Sequence, residues 1–148
     1  MNRILISAVC LGALVCTGVR AAPLEDCGDL NRVTLIPDPI AENSRSFLSG
    51  KVRVTTVDTG GEPVCCSAHA LIEVVNEDSG RECFILSGYV WVYADRAVLI
   101  EVEGKTQHLF VPVQYYPHAE GAPDFNIEMI HLEVEFEPPV VRRVEQVP

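Results

Sequence analysis

From about residue 47 onward the chain alternates apolar and polar side chains with a period of two, which restricts it to strands that bury one face. The clearest stretch is 127–137. There Ile130, Leu132, Val134 and Phe136 point one way, while Met129, His131, Glu133, Glu135 and Glu137 point the other. The same pattern, less regular, predicts strands over 51–57, 68–75, 82–86, 88–93, 97–103 and 107–115, with 32–36 as a weaker eighth. Turn-forming residues fall between them, at Asp58-Thr59-Gly60-Gly61, Asn76-Glu77-Asp78-Ser79-Gly80, Ala94-Asp95-Arg96 and Gly104-Lys105. No long stretch keeps a helical period, and 39–47 is expected to hold one turn at most. Short strands with frequent turns predict an all-β fold, an antiparallel β-sandwich of seven or eight strands, with a small β-barrel as the alternative. Pro112 interrupts a good strand, which predicts a sheet edge or a bulge at that point.

The first residues read as an export signal. Met1, Asn2 and Arg3 make a basic start, 4–18 is apolar, and Val19-Arg20-Ala21 leads to a cleavage point after Ala21. An apolar run of about 15 residues falls short of the roughly 20 that span a bilayer. The expected organisation is therefore a cleaved signal peptide over 1–21, a single β domain over 22–137, and an extended or flexible tail over 138–148. The expected location is the periplasm or the extracellular space, with no membrane insertion after cleavage.

The whole chain carries a net charge of −10, and loss of Arg3 and Arg20 with the leader takes it to −12. Nucleic acid and anionic membrane surfaces both require clustered cations, so neither is expected as a partner. A basic protein is the partner such a charge favours.

Export makes the cysteines disulfide candidates. Cys10 and Cys16 leave with the leader, and Cys27, Cys65, Cys66 and Cys83 remain. A bridge between neighbours is strained, so two bridges are expected, each joining Cys65 or Cys66 to one of Cys27 and Cys83. A single hairpin over 68–86 is incompatible with this pairing. If 68–86 is a single hairpin turning near Asp78, Cys83 lies opposite about Glu73, out of reach of Cys66.

No motif for catalysis is present. The chain lacks a Gly-x-Ser-x-Gly elbow, and its paired carboxylates, such as Glu101 with Glu103, sit two apart in strand patterns that argue against the burial acid-base work needs. An enzyme is not expected, nor a cofactor or a resident metal. His69, His108, His118 and His131 form no local metal-binding spacing. His108 and His131 do point away from the core, and Met129 shares the side of His131, a pairing of ligand types that suits copper.

Tyr89, Trp91 and Tyr93 alternate along one predicted strand and offer either core packing or a sugar-stacking face. The long connection from Tyr116 to Asn126 follows Tyr115 and carries His118, Glu120 and Asp124, the composition of a binding loop on a rigid scaffold. These residues favour an exported protein-binding domain, of inhibitor or immunity type, that recognises a basic secreted or envelope protein such as a hydrolase or toxin. A carbohydrate or cell-envelope binding module and a copper carrier are the alternatives.

Overall fold

The computed structural model describes residues 19–30, 35–60, 66–78, 80–116 and 125–146. They form two antiparallel sheets that share one core. The larger sheet contains β1 (Val19–Pro23), β7 (Trp91–Val92), β8 (Val98–Ile100), β9 (Thr106–Tyr115), β10 (Asn126–Phe136) and β11 (Pro139–Gln146). Its order is β1-β11-β10-β9, with β7 and β8 both lying along the far side of β9. The smaller sheet is ordered β2 (Glu25–Asp26), β6 (Gly80–Tyr89), β5 (Ala68–Asn76), β4 (Val52–Asp58) and β3 (Ser44–Phe47). No strand pairing joins one sheet to the other among the described residues, so the barrel alternative is set aside.

Alternation becomes burial in the expected way. Val52, Val54, Ile72 and Val74 of the smaller sheet meet Leu109, Val111, Leu132 and Val134 of the larger, all fully buried in one cluster. Burying each such side chain contributes roughly 1.5–3 kcal/mol. The hairpin of β5 and β6 turns where the Asn76 to Gly80 cluster predicts. Asn76 Oδ1 accepts from the Asp78 N–H at 2.7 Å, and Gly80 adopts a φ of +84°.

The smaller sheet is also covered on its outer side. Val57, Leu71, Cys83 and Ile85 point away from the shared core, and Cys27, Leu30, Leu35 and Ile36 of the N-terminal segment pack over them. Here β2 pairs Glu25 with Ile85 and Asp26 with Phe84, which sets Cys27 beside Cys83. The two cysteines are bridged, with Cα atoms 5.4 Å apart.

That bridge corrects the expected connectivity, in which Cys27 and Cys83 each joined one of Cys65 and Cys66. The register explains the outcome, because Cys83 pairs with Glu73 across β5 and β6, as the single-hairpin reading requires. Cys66 is disulfide-bonded as well, while Cys65 lies outside the described residues.

Of the tail expected to be extended or flexible, Pro139–Gln146 forms β11, which lies between β1 and β10. Doubled residues hide its alternation: Val141 is buried while its neighbour Arg142 pairs with Glu135, and Arg143 reaches Tyr89. Ser44–Phe47 forms β3 after a single 3-10 turn at Ile40–Glu42. Leu35 and Ile36 are not in a strand, and the rest of the weak eighth segment lies outside the described residues.

Pro112 is not at an edge. β9 pairs with β10 throughout, and on its other side Phe110 pairs with β8 whereas Val113 pairs with β7. Pro112 sits at the gap between those two partners. Its carbonyl accepts from the Tyr93 N–H at 3.0 Å, so the missing N–H faces that same gap.

Candidate functional site

Tyr89, Trp91 and Tyr93 do not make one ligand face. Gly88 takes a φ of +92°, and the chain leaves the smaller sheet after Tyr89 and enters the larger one at Trp91. Tyr89 is buried at 7% exposure, its hydroxyl accepting from Arg143 at 3.3 Å, and burial pushes its pKa up. Trp91 is half-buried against the core, and the Tyr93 hydroxyl donates to Gln114 Oε1 at 3.0 Å.

The predicted binding loop is described only at its base. Tyr115 packs against the core, while the Tyr116 and Phe125 rings meet at a tilt of 33° with centroids 4.9 Å apart, and both are exposed. His118, Glu120 and Asp124 lie outside the described residues.

Beyond that base the outer face of the larger sheet opens. Register places Val98 beside Phe110, Ile100 beside His108, Met129 beside Pro112 and Ile127 beside Gln114, all on the side away from the core. Four of these are large, apolar and exposed: Ile127 at 65%, Met129 at 52%, Ile100 at 49% and Val98 at 45%. They form two groups on that face, Val98 with Ile100 on β8 and Ile127 with Met129 on β10, with β9 between them, and exposed apolar groups rimmed by polar ones mark interaction surfaces. Among the described residues nothing packs over them, in contrast to the covered outer face of the smaller sheet.

Two imidazoles occupy the middle of this face. His108 Nδ1 and His131 Nε2 are 2.8 Å apart, within hydrogen-bond distance, and Phe110 stacks on His131 with centroids 4.6 Å apart and planes 12° apart. Burial, reinforced by the neighbouring His108, holds the His131 pKa below its ordinary value, while Glu133 pulls it up. The outward direction of each ring is visible in the sequence. Their meeting is not, because it depends on the register that sets His108 opposite Glu133 and His131 opposite Phe110.

Next to the histidines, β10 and β11 part. Their ladder ends at Leu132 and Arg143, although β10 begins at Asn126 and β11 runs on to Gln146. A cleft of about 700 Å³ opens there, lined by Glu128, Met129, His131, Glu133, Arg143 and Glu145 among others. Arg143 is drawn to Glu145 at 3.7 Å, whereas Glu128 and Glu133 have no Lys or Arg partner among the described residues. The site therefore presents apolar surface bordered by carboxylate.

A second histidine environment lies elsewhere. On β5, His69 has a buried Nδ1 with no hydrogen-bond partner, and burial lowers its pKa against the pull of Asp58. Among the described residues no three His, Cys, Asp or Glu side chains are gathered into a metal cluster, and no helix is long and apolar enough to cross a membrane. Comparison with known protein families, curated proteins and solved structures finds no match.

Proposed function

We propose that this chain is an exported β-sandwich that binds another protein through the outer face of its larger sheet, in the manner of an inhibitor or immunity protein. The observation that carries the reading is the unequal treatment of the two outer faces. A disulfide-pinned segment covers the apolar outer side of the smaller sheet, whereas Val98, Ile100, Ile127 and Met129 stand uncovered on the larger.

The partner is basic. Glu133 stands on the same face as Met129 and His131, Glu128 lines the adjoining cleft, and the whole chain carries a net charge of −10. Apolar area supplies affinity at such a surface, while the charge steers the encounter and selects the partner. Tyr116 and Phe125, in contact at the base of the long connection, extend the surface toward the predicted loop.

Export is supported by the leader-like start and by the Cys27–Cys83 bridge, which suits an oxidising compartment. The experiment that tests the proposal places a photo-crosslinking residue at Ile127 in cells of the source organism, with one at Glu73 on the other sheet as control. The expected result is a discrete adduct with a basic exported protein at position 127 and none at position 73. Equal labelling at both positions, or none at 127, contradicts it.

A further inference from the structure

We infer that His108 and His131 are the imidazole half of a divalent-cation site on the outer face of the larger sheet, for zinc or copper, with the Glu133 carboxylate as the third protein ligand. The nitrogens facing one another, Nδ1 of His108 and Nε2 of His131, are 2.8 Å apart. Two nitrogens bound cis to one ion at about 2.0 Å would lie about 2.8 Å apart, and a tetrahedral pair about 3.3 Å. Binding a cation there moves the shared proton to the other nitrogen of its own ring, which leaves both facing nitrogens as donors, and calls for rotation of the two side chains with no movement of the strands.

The surroundings suit the exchange. Phe110 stacks on His131 and fixes the plane of that ring. Glu133 lies across the ladder from His108 and two residues along β10 from His131, on the same face as both. Its carboxylate is not gathered with the rings in the structure, so it closes on the ion by side-chain rotation. The nearest strand-paired cation, Arg142, is engaged by Glu135 and does not neutralise Glu133. Three protein donors leave the remaining coordination positions to solvent or to a group of a bound partner.

This assignment is independent of the proposed protein partner, because the ion alone is the probe. The disulfide-intact chain is titrated separately with Zn²⁺ and Cu²⁺ by calorimetry. One ion per chain is expected, with His108→Gln and His131→Gln each weakening binding by at least about tenfold, and Glu133→Gln by less. His69→Gln is expected to leave binding unchanged. Copper at the site is further expected to show splitting from two nitrogens in its electron paramagnetic resonance spectrum. Each variant is first checked for unchanged circular dichroism, and His108→Ala with His131→Ala serves where a Gln variant is not folded. Failure of both ions to bind at one per chain overturns the inference, as does binding that persists without both imidazoles.

Discussion

Thr56 of the smaller sheet donates its hydroxyl hydrogen to the carbonyl of Val92 in the larger sheet at 2.8 Å, with the side chain of Thr56 fully buried. The bond ties β4 to β7 just after the chain has changed sheets, and the Thr56 hydroxyl oxygen accepts from the Ala94 N–H at 3.4 Å. A buried hydroxyl between two sheets is tolerated because both of its hydrogen-bonding roles are used.

Thr56→Val keeps the shape and removes the bond, leaving the Val92 carbonyl without its donor. The expected loss is about 1–3 kcal/mol, read from the midpoint of a urea titration. A change below about 0.5 kcal/mol would show that the link contributes little beyond packing.

Removing the Cys27–Cys83 bridge by paired Cys→Ala substitution releases a covering segment and a loop of sequence separation 56. The expected cost is about 2–4 kcal/mol, measured by chemical denaturation. Limited proteolysis is expected to cut first close to Leu30, Leu35 or Ile36, because the bridge holds these side chains against Val57 and Leu71. Initial cleavage within β9 or β10 would count against this division.

The sheets were legible in the sequence because Leu132, Val134 and their like alternate with outward Glu133 and Glu135, and one face of each strand is buried. β11 was not, since Val140-Val141 and Arg142-Arg143 double each residue type and blur a period of two. The disulfide was half legible. Placing Cys83 opposite Glu73 was correct and already excluded a Cys66 partner, but only the pairing of β2 with β6 reveals Cys27 as the mate. Likewise, alternation shows that His108 and His131 face outward, while their contact is a property of strand register.

Stability is expected to fall with acid. Burial lowers the pKa of His69 and of His131 from a usual value near 6.5, so the unfolded chain binds protons that the folded chain releases. The stabilisation is complete above about pH 6.5 and is lost as pH falls through the lower folded values. Melting temperatures measured from pH 7.5 to pH 5 are expected to drop, and His69→Gln with His131→Gln is expected to flatten the slope. A slope unchanged in that double variant would assign the acid sensitivity to other groups.

Surface ion pairs are expected to matter little by comparison. Glu73 meets Arg81 at 2.9 Å and Arg53 at 3.8 Å, but both guanidinium groups are well exposed. Arg81→Ala is expected to cost under about 1 kcal/mol, less in high salt, by thermal denaturation at two ionic strengths.

The outer face of the larger sheet is the centre of the account, and binding by a variant of that face is its most direct measure. Ile127→Glu combined with Met129→Glu alters two exposed side chains and is expected to leave the melting temperature unchanged. Affinity for the basic exported protein crosslinked at position 127, measured by calorimetry with the wild-type chain alongside, is expected to fall by about two orders of magnitude or more, as loss of a binding hot spot would cause. Undiminished affinity in the double variant would contradict the assignment of this face as the binding surface.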